Sequence, residues 1–312
     1  MAALPTRLLG DDGPEVSVIG LGCNNFGRRV DLEGTRAVVD AALEAGIMFF
    51  DTSNTYGSPH GRSEEFLGEV LQGRRDRVVL ATKFGMDMGD GLGPRGSRDY
   101  ILQAVEASLR RLRTEVIDYY WYHQPDGVTP IAETLEALDG LVRAGAVRAI
   151  GASNFSAEQI EEADAVARER GFARFTSIQN QYSLLVRDPE RDVLPTCERL
   201  GLGFVPFFPL ASGLLTGKYR RGEAAPAGTR LADRARVATD EQFDVVEAVG
   251  RFAADRGISM IDVAIGALLA RTPVSTVIAG ATKPEQVLVN VAAARWAPSD
   301  SDLAELEELL NR

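Results

Sequence analysis

A chain of 312 residues with a formal charge of -11 repels polyanions at distance, which argues against nucleic acid or an anionic membrane surface as its partner. Its two cysteines, Cys23 and Cys197, are too few for a disulfide framework, and nothing in their spacing resembles a metal site. No run approaches the roughly 20 apolar residues of a membrane span, and the start MAALPTRLLG lacks the apolar stretch of a signal peptide, so a cytoplasmic location is expected.

In chain order, short β-rich runs alternate with helical stretches. The strands are expected at 16–22, 47–53, 77–84, 116–123, 146–153, 175–183, 203–210 and 276–280. Between them apolar residues recur at three- and four-residue spacing in LEGTRAVVDAALEAG, SRDYILQAVEASLRRLR and IAETLEALDGLVRAG. Helix punctuation accompanies the pattern: Ser97, Thr129-Pro130 and Ser156 at starts, and Gly46, Gly145 and Gly171 after ends. Alternation of this kind signals parallel strands joined by crossover helices. Eight such units close into a (β/α)8 TIM barrel, predicted as one α/β domain over residues 1–312, of a length that suits roughly 250 residues plus insertions. The competing open sheet would carry G-x-G-x-x-G after its first strand, and GLGCNNFG at 20–27 has the wrong spacing.

Two loops stand out. Residues 85–97 follow the third strand, and residues 211–239, rich in Gly, Ala and Arg, follow the seventh; a loop of the latter length is usually functional or disordered. Extra helices are expected at 240–256, 259–271 and 299–311, and one beginning near Pro284.

In such a barrel the carboxyl ends of the strands share one face. Asp51 of FFDTSNTYG, Lys83 of VVLATKFG and His123 of DYYWYHQPD fall there, with Tyr56 in the loop beyond Asp51. Only three of the 34 Lys+Arg are lysines, and His60 and His123 are the two histidines. Singly, each residue has a structural explanation: a turn cap, a rim aromatic, a snorkelling cation, a core histidine. Together they form a proton-transfer set. A free tyrosine holds its proton to a pKa of about 10, and a neighbouring ammonium lowers that value so that the proton leaves more readily as charge grows on a substrate oxygen. Asp51 would anchor Lys83 and keep it charged, while His123 donates a hydrogen bond to the substrate oxygen.

These motifs, with GASNF, IQNQYSLL, PLASGLLTGKY and GATKPEQ in the same order, resemble the aldo-keto reductase superfamily over nearly the whole chain, in style its potassium-channel β-subunit-like branch. The resemblance implies an oxidoreductase in which NADPH reduces a small-molecule aldehyde or ketone to an alcohol, with Asp51, Tyr56, Lys83 and His123 as catalytic tetrad and Tyr56 as proton donor. It implies that Gly22, Cys23, Asn24 and Asp51 line the cofactor, and that Ser153, Asn154 and Gln179 hold its carboxamide, for which donors and acceptors are needed. Phe207 stands where the family most often has a stacked Tyr, with Phe208 beside it. Pro209, Leu210, Ser212, Lys218 and Arg230 match the segment over the pyrophosphate. Gly280, Thr282, Lys283, Gln286 and Asn290 match the adenosine 2′-phosphate region, where a helix start favours anions. No metal is implied.

Two other functions fit parts of the pattern: a cofactor-binding sensor with slow turnover, and an aldolase using Lys83 as a Schiff base, which leaves GASNF, LLTGKY and GATKPEQ unused. Outside the set, His60 reads as a solvent-facing loop residue, Cys197 as core, Trp121 and Tyr122 as packing, and EEADAVARER as a solvated helix face.

Overall fold

Parallel strands covered on both faces read as near-continuous apolar runs, and here all six residues of the segment IDYYWY are buried. The structure, a computed structural model, describes residues 4–226, 229, 232 and 238–311; Arg230 lies outside them. After an antiparallel hairpin of β1 (Thr6–Leu8) and β2 (Glu15–Ser17), the chain runs through β3 (Ile19–Gly22), α1 (Leu32–Glu44), β4 (Phe49–Asp51), α2 (Arg62–Val70), β5 (Val79–Phe84), α3 (Arg98–Leu112), β6 (Ile117–Tyr122) and α4 (Ile131–Arg143). It continues with β7 (Val147–Ser153), α5 (Ala157–Arg170), β8 (Phe175–Gln179), α6 (Val193–Leu200), β9 (Gly203–Phe204), α7 (Asp240–Asp255), α8 (Met260–Leu269), β10 (Val277–Gly280), α9 (Pro284–Ala293) and α10 (Asp300–Leu310). An eight-stranded parallel sheet in the order β10-β3-β4-β5-β6-β7-β8-β9 forms the (β/α)8 barrel. Its two ends meet where Ser275 N–H donates to the Phe204 carbonyl (3.0 Å) and Ile278 N–H to that of Pro206 (3.3 Å).

All eight expected strands are present but shorter. The run 16–22 divides at Val18 because β2 turns back to pair with β1, a hairpin the alternation did not reveal. Leu9 and Val16 of this hairpin join Phe49, Ala81, Tyr119, Trp121, Val205 and Ile278 in the barrel interior, closing its amino end. The run 203–210 keeps only two residues of regular strand, since Pro206 and Pro209 have no N–H to give a ladder. Pairing persists irregularly beyond it: Val205 N–H reaches the Ile178 carbonyl (2.8 Å) and Phe207 N–H that of Asn180 (3.1 Å). Interior volume is shared unevenly. A Cβ at Gly151 would sit 2.6 Å from the Trp121 ring, so glycine on β7 makes room for the indole on β6.

Side chains cap the helices as the sequence suggests. Ser97 accepts from Tyr100 N–H, and Ser156 with Gln159 forms a reciprocal capping box, as do Thr239–Gln242, Ser259–Asp262 and Ser299–Asp302; each cap contributes about 1 kcal/mol. The segment expected as loop 211–239 starts with a 3-10 turn, Ala211–Thr216. Leu214, Leu215 and Tyr219 are buried there against Phe243, Val249 and Phe252 of α7 and Val263 of α8. The additional helices thus provide a second apolar cluster that anchors the segment leaving β9. No helix among the described residues is long and apolar enough to cross a membrane.

Candidate active site

Parallel register brings the tetrad candidates together. Asp51 closes β4 opposite Ala81 of β5, Lys83 lies opposite Trp121 of β6, and His123 follows β6 with its N–H on the Phe84 carbonyl (2.7 Å). Lys83 is wholly buried. Its ammonium donates to Asp51 Oδ2 and to the Thr52 carbonyl (2.8 Å), and Nζ lies 5.0 Å from the centroid of the Tyr56 ring. Asp51 is equally committed, for its second oxygen accepts from Gln179 Nε2 (3.0 Å). A buried ion pair is tolerated when its remaining hydrogen-bonding capacity is met in this way. Burial works against the Lys83 charge, but Asp51 and then Tyr56 outweigh it and hold the lysine pKa above its usual value.

Tyr56 departs from the sequence expectation. Burial lifts its hydroxyl pKa, Lys83 pulls it down only part of the way, and Asp51 adds to the rise, so the net shift in the protein alone is upward. The ammonium alone would lower the value, but the low-dielectric surroundings that enclose the pair outweigh it. Its ring meets that of His123 edge-on, with centroids 5.9 Å apart and an interplanar angle of 85°. Burial, reinforced by the Lys83 charge, pushes the His123 pKa well below the ordinary histidine value, which keeps the imidazole neutral.

The neighbouring strand ends supply the next layer. Ser153 and Gln179 pair in register; Ser153 Oγ donates to the Gln179 carbonyl (2.7 Å), and Asn154, left-handed at φ 59°, donates through Nδ2 to the His123 carbonyl (2.9 Å). Gln179 therefore holds Asp51 through its amide N–H and retains Oε1 for an amide donor. These residues fit a carboxamide, since acceptors and donors stand side by side next to the tetrad.

Further round the barrel, Phe207 and Phe208 meet edge-on at 5.2 Å. Phe208, Ala211 and Ser212 all have positive φ (55°, 47° and 58°), at a cost of roughly 1–3 kcal/mol each. Strain of this sort gathers at ligand clamps, and Pro209 and Leu210 lie inside the strained stretch. Lys218 is exposed, its Nζ 5.2 Å from the Tyr219 ring centroid. Gly280 pairs with Gly22, and Asn25 Nδ2 donates to the Ala281 carbonyl (3.3 Å), which joins the loop carrying Cys23 and Asn24 to the start of α9. Thr282 donates through N–H (2.7 Å) and Oγ1 (3.2 Å) to Gln286 Oε1; Lys283 is exposed at the helix start and Asn290 is buried. The backbone cradle and exposed cations of this half suit phosphate.

Several buried hydroxyls escaped the sequence reading. Ser63 Oγ donates to the Cys23 carbonyl (2.9 Å) and pairs with Thr52 Oγ1 (2.8 Å), tying α2 to the residue that receives Lys83. Ser53 touches His123 Nδ1 at 3.2 Å. Thr52 and Ser53 lie within FDTSNTYG, so the motif itself was the available signal for them, whereas Ser63 lies beyond it. His60 is exposed as expected, and Cys23 and Cys197 are buried. Among the described residues no group of three or more His, Cys, Asp or Glu could hold a metal ion.

A barrel with this strand-end constellation defines an oxidoreductase class, and similarity to known proteins agrees. The model of the Aldo/keto reductase family matches residues 18–311. The chain is 35% identical over 299 residues to a probable voltage-gated potassium channel subunit beta of Oryza sativa, covering 91% of this chain and 89% of that one. It is 33% identical over 318 residues to L-glyceraldehyde 3-phosphate reductase of Escherichia coli (97% and 91% covered) and 38% over 295 residues to an uncharacterized oxidoreductase of Bacillus subtilis (91% and 89%). The chain belongs to the aldo/keto reductase family.

Proposed function

We propose that the protein, acting as one barrel domain, uses NADPH to reduce an aldehyde or ketone to an alcohol. The observation that carries this reading is the closed knot of Asp51, Lys83, Tyr56 and Gln179 beside a neutral His123. The chemistry such a cofactor would supply, when bound, is the hydride. Tyr56 gives its proton to the carbonyl oxygen: the fixed Lys83 ammonium stabilises the phenolate left behind, in a site where charges act with little screening. His123, neutral, donates to the same oxygen and orients it. Ser153, Asn154 and the Gln179 Oε1 would hold the carboxamide, and Gly22, Cys23, Asn24 and Phe207 would line the cofactor beside it. The segment from Phe208 to Ser212, left-handed at Phe208, Ala211 and Ser212, would receive the pyrophosphate together with Lys218, and Gly280, Thr282, Lys283, Gln286 and Asn290 would receive the adenosine end.

The Oryza sativa relative points elsewhere by name, to a channel subunit beta, so a sensor role is the second reading. The intact tetrad favours turnover. Schiff-base chemistry at Lys83 is disfavoured, because it needs a free amine, whereas this ammonium is held charged by Asp51. The decisive experiment pairs fluorescence titration of NADPH and NADH with assays over aldehydes, ketones and sugars. Tyr56→Phe is expected to leave NADPH affinity nearly intact and to reduce kcat by roughly a hundredfold or more. A variant with near wild-type kcat, or NADPH binding without turnover on any carbonyl, overturns the reductase reading.

A further inference from the structure

Ser53 is a fully buried hydroxyl with no part in the proton transfer described above. Its Oγ lies 3.2 Å from His123 Nδ1, 3.0 Å from Thr55 Oγ1 and 3.4 Å from Asn54 Oδ1, and it accepts the Thr55 N–H at 3.3 Å. A serine has one proton and two acceptor sites. The backbone N–H fills one acceptor site. Thr55 is half-buried, and its hydroxyl, which can rotate to donate, is able to fill the other. Two acceptors then compete for the serine proton, Asn54 Oδ1 at 3.4 Å and the imidazole Nδ1 at 3.2 Å, and the shorter contact favours the imidazole.

We propose that Ser53 is a positioning residue that fixes His123 as the Nε2–H tautomer. With Nδ1 occupied as an acceptor, the neutral ring must carry its proton on the nitrogen remote from Ser53, and the tautomer of a histidine is set by the bond its other nitrogen makes. In the opposite arrangement Nδ1–H donates to Ser53, and Nε2 offers a lone pair, which repels a carbonyl oxygen. The value of this for catalysis rests on the reductase reading; the tautomer itself does not. His60 supplies an internal contrast, because its Nδ1 faces the Thr55 carbonyl at 2.8 Å, an acceptor that requires Nδ1–H.

Nitrogen-15 NMR of the imidazoles in the tag-free, cofactor-free protein tests it, with His60→Gln leaving His123 as the sole histidine. The expected result is a protonated Nε2 and a bare Nδ1 in the wild type, a shift of proton to Nδ1 in Ser53→Ala, and the wild-type pattern in Ser53→Thr. Under the reductase reading Ser53→Ala also lowers kcat roughly ten- to a hundredfold with NADPH affinity unchanged, and Ser53→Thr restores it. A protonated Nδ1 in the wild type overturns the proposal even if Ser53→Ala does not fold, and so does a folded Ser53→Ala with an unaltered His123 pattern. If the tautomers follow expectation while no carbonyl is reduced, the reductase reading fails and the Ser53 assignment stands.

Discussion

The two halves of this site are built on different principles. On β4, β5 and β6 the functional groups are buried and already bonded to one another: Lys83 to Asp51 and Thr52, Asp51 to Gln179, His123 to Ser53. On the side of β9 and β10 the two lysines are exposed, and what is prearranged is backbone, in the left-handed residues Phe208, Ala211 and Ser212 and the helix start at Lys283. Proton transfer needs groups fixed to within fractions of an ångström before reaction, and a dry interior provides this. Phosphate recognition tolerates water and flexible cations, provided the N–H groups are in place.

Substitutions on the two sides therefore differ in kind. Lys83→Met should have the largest effect, since it strands a buried carboxylate: roughly 3–5 kcal/mol of stability at neutral pH, read by denaturant unfolding, together with loss of turnover. Adding Asp51→Asn should recover much of the stability and none of the activity; a single variant as stable as wild type breaks the comparison. Gln179→Leu removes a buried hydrogen bond to a charged group and is expected to cost about 1.5–3 kcal/mol, whereas a residue serving only the cofactor would change NADPH affinity and leave the unfolding curve alone.

Acid sensitivity comes next. His123 is neutral in the fold with a depressed pKa, so below the ordinary value of 6.5 the unfolded chain takes up a proton that the native state does not. Stability is then full above pH 6.5 and falls as pH drops below it, by up to about 1.4 kcal/mol per unit from this one group. His123→Asn should flatten that part of the acid limb in unfolding measured at several pH values. The smallest effect belongs to Lys283→Ala, for which a roughly two- to fivefold loss of NADPH affinity is expected, erased by salt and absent for NADH. A loss of a hundredfold would mean that the phosphate half is as tightly organised as the other.

Much of the architecture was legible because a barrel repeats one signal. Each strand is an apolar run ended by turn residues, each helix has its period and cap, and the eight runs recur as β3 to β10. The hairpin at Thr6–Ser17 was not, since strands of three residues are too short to alternate visibly. Strand ends moved where proline removes a donor, as at Pro206. For the site, the residue types at 51, 56, 83 and 123 and their places in the strands announced a cluster. Its energetics were not announced: the rise in the Tyr56 pKa comes from burial, a property of the assembled barrel. Gln179 bonding to Asp51 joins residues 128 positions apart, and no local pattern carries that.

The scarcity of lysine has a practical side. With only three in the chain, and with the Lys83 amine shut inside the barrel and locked to a carboxylate, acylating reagents applied to the folded protein meet just two lysine side chains, Lys218 and Lys283, both on the cradle read as phosphate-binding. Amine labelling, read by mass spectrometry at those two lysines and so apart from any α-amine, would therefore report occupancy of that cradle, a built-in footprint that a lysine-rich surface would have hidden.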